Sequence, residues 1–128
     1  APHRCVMKAL EAHVPLDRLT GSRDCPGGVR RTHPETNETP YRPAPLHLNL
    51  QEMRLLVKEG LLPLEQALTL ITSNPARNLK LRTKGRIDIG FDADLCFLDS
   101  ELQLTHVIAR GKLALKDKEV IKKGRYEE

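Results

Sequence analysis

Hydrophobic positions along this 128-residue chain follow one period before Leu81 and another after it. Val6, Ala9 and Leu10 recur at helical spacing between residues 3 and 13, and Pro15 stops the run. "LDRLTGS" then reads as a short extended segment. Helical spacing returns with Leu50, Met53, Leu56 and Val57, and Gly60 supplies the stop. In the following helix Pro63 suits the first turn, while Leu64, Ala67, Leu68 and Ile71 form one stripe. Glu65 favours the positive end of that helix's dipole. "SNPARNLKL" predicts a third, short helix with Asn74 as its N-cap and Pro75 at its first position.

Beyond Leu81 the pattern becomes that of strands. "ADLCFLD", "LTHVIARG", "KLALKD" and "EVIKKG" are four candidates, separated by turn residues at Gly111 and Asp117-Lys118. Cys96 lies inside the first, where a buried small apolar residue fits. Between Pro26 and His47 the chain holds most of its prolines and almost no apolar residues, which predicts one long flexible loop. A helical first part and a strand-only last part make an α+β chain of two architectures, divided here as residues 1–82 and 83–128.

Composition narrows the function classes. Aromatic residues are only 3% of the chain, so any core is aliphatic. The net charge of +4 is spread over runs of mixed sign such as "KDKEVIKKGRYEE", and two Tyr and two Phe give little for bases to stack on. Nucleic acid is therefore not an expected partner. No apolar run approaches a membrane span, and "APHRCVMKAL" lacks the order of a secretory leader, so a cytoplasmic location is expected. The three cysteines Cys5, Cys25 and Cys96 are far apart and form no C-x-x-C pair, which argues against a disulfide framework or a structural zinc site.

One residue poses the functional question. In "RLTGSRDCPGG" Asp24 follows a short strand-like run and precedes a Pro-Gly-Gly turn. Taken alone, it is either an ordinary turn residue or part of a site. The five histidines do not decide the matter: there is no H-x-H, and His3 and His13 read as surface or boundary residues of the first helix.

A resemblance adds to this. "GRIDIGFDADLCFLD" followed by "HVIARGKLALKD" resembles the closing segment of the metal-dependent amidohydrolases, and "TSNPARNLKL" resembles that family's Thr-x-Asn-Pro-Ala helix. "LQLTHVIARGKLALKDKEVIKKGRYE" and "VPLDRLTGSRDCPGG" are similar to the branch that hydrolyses beta-aspartyl dipeptides, the isoaspartyl dipeptidases. The resemblance implies the last part of a (β/α)8 TIM barrel followed by the C-terminal strands of a small β-sandwich. Residues 3–13 then correspond to the seventh barrel helix, Leu19 to Ser22 to the eighth strand, and the helices from Leu48 to Leu81 follow it.

By the same resemblance Asp24 aligns with the catalytic aspartate that ligates one metal of a binuclear zinc site and shuttles a proton. Gly27 and Gly28 stand where the family places its substrate-carboxylate contacts. The chain departs from the family's Asp-Gly-x-Gly-Ser, reading Asp24-Cys25-Pro26-Gly27-Gly28, so Cys25 replaces a glycine and Gly28 replaces the serine.

The family's remaining zinc ligands and seven of eight barrel strands are missing from the sequence. The chain is therefore expected to be the C-terminal part of a zinc-dependent isoaspartyl dipeptidase-like enzyme, to hold no zinc stably and to lack activity alone. Its substrate, once the barrel is completed, is a beta-aspartyl dipeptide, and its uncovered apolar stripes predict self-association. The alternative is a free-standing α+β interaction module without catalysis.

Overall fold

A computed structural model of the chain describes residues 2–22, 28–30, 35–36, 41–43 and 47–122. It contains four α-helices, α1 (Pro2–Glu11), α2 (Leu48–Lys58), α3 (Leu64–Thr69) and α4 (Ser73–Asn78), among these residues. The strands are β1 (Gly28–Arg30), β2 (Tyr41–Pro43), β3 (Leu95–Leu98), β4 (Leu104–Ala109), β5 (Lys112–Lys116) and β6 (Glu119–Val120). The class is α+β. Two compact units emerge, Ala1–Pro75 and Ala76–Glu128.

In the first unit Met53, Leu56 and Ala67 of the predicted helical stripes are buried, together with Leu70, which the predicted stripe did not include. Met53 and Leu56 of α2 are each 2% exposed, and Ala67 of α3 and Leu70 just after it are buried with them. α2 ends as its glycine requires. Gly60 takes a φ of 67°, its N–H donates to the Val57 carbonyl, and Leu61 N–H donates to that of Leu56. This double closure satisfies carbonyls that the last turn would otherwise leave open. Pro63 stands one position earlier than expected, as the extended N-cap of α3 (φ −60°, ψ 152°).

Three local expectations are corrected here. Leu16–Arg18 is a turn of 3₁₀ helix rather than extended chain, and only from Leu19 (φ −94°, ψ 139°) does the backbone straighten. The stretch from Pro26 to His47 is not simply a loop. β1 and β2 pair antiparallel within it, with Gly28 opposite Pro43, Val29 opposite Arg42 and Arg30 opposite Tyr41. A proline at the end of a strand gives up only one ladder bond, so the proline-rich composition concealed the ribbon without forbidding it. Asn74 lies within α4 rather than before it, and its Nδ2 makes tertiary contacts.

The second unit is a four-stranded antiparallel sheet in the order β3-β4-β5-β6. Two-residue turns at Arg110-Gly111 and Asp117-Lys118 join its last three strands, all four residues at positive φ, as the right-handed twist of a hairpin demands. None of the strand side chains is fully buried. Cys96 is exposed rather than buried, since no second layer covers its side of the sheet among the described residues. Ile87 and Ile89, just before the sheet, are 88% and 99% exposed.

The Asp-Ala-Asp stretch has a clear structural task in this unit. Asp94 accepts the Arg110 N–H at 2.7 Å, and the Ala93 carbonyl accepts that of Gly111 at 2.9 Å, so the β4–β5 turn is held from below. Lys84 bridges Asp94 and, at 2.8 Å, Asp92. The Lys84 ammonium, then the Arg110 N–H, holds the Asp94 carboxyl below its usual range, and Asp92 and Asp94 together raise Lys84. Asp99 is likewise lowered, first by the Gln103 N–H and then by Lys118.

Two outcomes are expected. Leu56→Ala should destabilise the first unit by about 2–5 kcal/mol, the cost of a large core truncation, whereas Leu55→Ala at a 37% exposed position should cost far less. Chemical denaturation of the two variants reads the difference, and equal losses would contradict this core. A carboxyl lowered by folding stabilises above its unfolded pKa, and that contribution fades as pH falls from ~4 through the lower folded value. Lys84, raised by folding, loses its contribution as pH climbs beyond ~10. The Arg110 amide resonance should therefore shift on acidification in the parent and stay flat in Asp94→Asn; parallel titrations would contradict the contact.

Candidate functional site

The segment leading to Asp24 is fixed by the helices around it. Pro15 is extended (φ −61°, ψ 138°), the Leu16–Arg18 turn follows, and Leu19 leaves it extended. Asn74, 2% exposed, reaches this turn from α4. Its Nδ2 donates to the Leu16 carbonyl at 2.9 Å and to the Leu19 carbonyl at 2.8 Å. Two residues on, the Gly21 N–H donates to the Leu70 carbonyl at 2.7 Å. A β-carbon at position 21 would lie 3.2 Å from Ile71 Cγ2, so the close approach of this backbone to the end of α3 favours glycine.

Asp24 follows three residues after that anchor. Asp24, Cys25 and Gly27 lie outside the described residues, and Gly28 opens β1 opposite Pro43.

Beside the anchored segment is a cleft of about 570 Å³, bounded by α1, Leu19–Ser22, α2 and the end of α3. Val6, Leu19, Met53, Leu56, Leu70 and Ile71 give it mainly apolar walls. Its polar feature is a histidine–carboxylate pair. His3 is 7% exposed, correcting its reading as a surface or boundary residue. Glu52 Oε2 accepts the His3 backbone N–H at 2.9 Å and lies 2.8 Å from Nδ1, while Nε2 is 3.8 Å from Glu59. A carboxylate at the first turn of α1 meets free backbone donors and the positive end of the helix dipole, so this contact pins α1 onto α2.

The other described histidines do not join it. His13 sits just past α1 at a φ of 61°, and His47 is the N-cap position of α2. His106, in β4, has Nε2 3.3 Å from Asp117 and its ring edge-on to Phe97 at 6.1 Å between centroids. Cys5 and Cys96 are exposed free thiols, and partial desolvation, then the charge of Asp94, pushes the Cys96 thiol up. Among the described residues no three His, Cys, Asp or Glu side chains converge as a metal would require. These residues therefore do not fit a binuclear zinc centre by themselves. Also among them, no helix is long and apolar enough to cross a membrane.

Comparison with known proteins gives a consistent frame. A family model described as the amidohydrolase family matches residues 17–125. The chain is similar to the crystal structure of beta-aspartyl dipeptidase from Fervidobacterium islandicum AW-1 in complex with a beta-Asp-Leu dipeptide, with a TM-score of 0.79 at 28% identity. That match covers 99% of this chain and 32% of the other. A second structure of the enzyme matches with a TM-score of 0.72, also at 28% identity, over 98% of this chain and 30% of its own. N-acetylglucosamine-6-phosphate deacetylase from Pasteurella multocida shares the fold at a TM-score of 0.53 and 17% identity, over 74% of this chain and 23% of that one. Adenine deaminase from Geobacillus kaustophilus (strain HTA426) is 41% identical over 63 residues, 48% of this chain and 11% of its own length. The chain thus spans about a third of the dipeptidase and about a tenth of the deaminase.

Proposed function

The chain belongs to the amidohydrolase family, and on that premise we propose that it is the C-terminal part of a hydrolase of beta-aspartyl dipeptides. The observation that carries the reading is the similarity over 99% of the chain to an enzyme crystallised with beta-Asp-Leu. Residues 1–82 are on this reading the end of a (β/α)8 barrel, and residues 83–128 the last strands of a small β-sandwich. Leu19 to Ser22 is the eighth barrel strand, and Asp24 stands beyond its C-terminal end, where barrel enzymes build their sites.

Asp24 is the catalytic residue of the proposal. A carboxylate in that place takes a proton from the attacking water and returns it to the leaving amine, so one group serves both halves of amide hydrolysis. Gly27 and Gly28 stand, by the family resemblance, where contacts to the substrate's carboxylate are made. The zinc expected from the family resemblance needs ligands that the described residues do not supply, so no step is assigned to a metal here. A cytoplasmic location and completion of the barrel by further polypeptide belong to the same proposal.

The test restores the rest of the barrel. This chain is fused to the N-terminal part of the Fervidobacterium islandicum enzyme and assayed on beta-Asp-Leu. Asp24→Asn should lower turnover by about 10²–10⁴-fold, the usual cost of losing a general acid/base. His106→Ala should leave it near the parent's, and Gly28→Ser, which restores the family's hydroxyl, should raise it. An Asp24→Asn fusion as active as its parent would reduce Asp24 to a turn residue, and turnover of adenine in place of the dipeptide would favour a deaminase. The 128-residue chain alone should keep well under about one zinc per molecule after dialysis.

A further inference from the structure

We infer that Leu19–Ser22 is a strand with one open edge, and that this edge and the apolar cleft beside it seat a single β-strand of polypeptide beyond this chain. The inference rests on the reading of the chain as part of a larger hydrolase, and it names the partner that completes this unit. In an extended segment the N–H and C=O of one residue point to the same edge, and those of the next residue to the opposite edge. Leu19 and Gly21 therefore share one edge, and Thr20 and Ser22 share the other.

The first edge is taken. The Leu19 carbonyl accepts from Asn74 Nδ2 at 2.8 Å, and the Gly21 N–H donates to the Leu70 carbonyl at 2.7 Å. Groups from α4 and the end of α3 thus stand where a neighbouring strand would pair. A strand of a regular closed barrel pairs on both edges, whereas here one edge is reserved for helices. On the second edge, the backbone groups of Thr20 and Ser22 have no hydrogen-bond partner among the described residues.

Every residue of Leu19–Ser22 lines the cleft of about 570 Å³, whose other walls include Val6 of α1 and Met53 and Leu56 of α2. Packed interiors leave few voids larger than a water molecule, so an apolar space of this size beside an unpaired backbone edge calls for an occupant. A strand meets both needs at once. Its backbone continues the alternation of donors and acceptors, while its alternate side chains enter the cleft. A small apolar molecule would fill the space and leave the edge unpaired. The chain spans about a third of the related dipeptidase, so that relative holds further polypeptide able to supply the strand.

Amide exchange tests the assignment, because it reads each edge separately. In the 128-residue chain the Gly21 N–H should be protected, while those of Thr20 and Ser22 exchange at free-peptide rates. In the fusion to the N-terminal part of the Fervidobacterium islandicum enzyme, Thr20 and Ser22 should slow by at least about 100-fold, with Gly21 still protected. Alkylation of Cys5, an exposed thiol on the cleft wall, should slow with them. Thr20→Pro removes the open-edge donor, and Leu19 (φ −94°, ψ 139°) already has the backbone that a residue before proline adopts. This variant should melt near the parent's temperature as the 128-residue chain and below it as the fusion. A folded fusion with Thr20 and Ser22 at free-peptide rates would overturn the inference. So would slowing of these two amides in the 128-residue chain alone as its concentration rises, which would give the edge to a second copy. If the fusion does not fold, the unmodified chain decides, and equal protection of Gly21, Thr20 and Ser22 there would refute the open edge. A fusion protected at Thr20 and Ser22 but inactive on beta-Asp-Leu sinks the dipeptidase reading and leaves the docked strand standing.

Discussion

The fold of the first unit turns on how the extended segment after its 3₁₀ turn is tied to its helices. Leu19–Ser22 has no strand neighbour to complete its hydrogen bonds among the described residues, so side-chain and helix-end groups do that work instead. Asn74 serves the Leu16 and Leu19 carbonyls, and the Leu70 carbonyl serves the Gly21 N–H. Buried backbone groups left unpaired would each cost a few kcal/mol on the order of a lost hydrogen bond and its desolvation. The apolar stripes of α2 and α3 bring those partners to the right place, with Met53, Leu56, Ala67 and Leu70 as the packed centre. Packing therefore comes first in this unit, and the directional bonds define where the chain leaves it.

The second unit solves a different problem. Its sheet fully buries none of its strand side chains, so hairpin geometry and polar clamps do much of the holding. The positive-φ turns and the Lys84–Asp92–Asp94 group fix the strand register locally. A sheet with apolar residues left in contact with water is a sheet prepared for a cover. That agrees with a chain that spans only about a third of the related dipeptidase.

Much of this was legible in the sequence, for definite reasons. Leu50, Met53, Leu56 and Val57 repeat at the helical period and Gly60 follows them, so α2 and its end could be read directly. The four sheet strands were marked by alternation and by Gly111 and Asp117-Lys118 between them. What escaped was set by distant partners. A lone His3 gives no hint of Glu52, 49 residues away, and nothing local tells the Asn74 side chain to reach Leu16 and Leu19. The β1–β2 ribbon was masked by proline, and Cys96 was assigned to an interior that needs a second layer. The family motifs around residues 73–76 and 90–95 identified the relationship, but their physical tasks became visible only in the structure. Asp24 itself was singled out by resemblance and lies outside the described residues, while the structure shows the anchoring of residues 16–21.

The most direct test of the account is the position of the Asp24 carboxylate against substrate. In a crystal structure of the fused dipeptidase with beta-Asp-Leu bound, the account predicts an Asp24 oxygen about 3 Å from the scissile amide or joined to it by one water. The Asn74 amide should in the same crystal still hold the Leu16 and Leu19 carbonyls. A carboxylate turned away to solvent, with the dipeptide's isopeptide bond served by another residue, would contradict it.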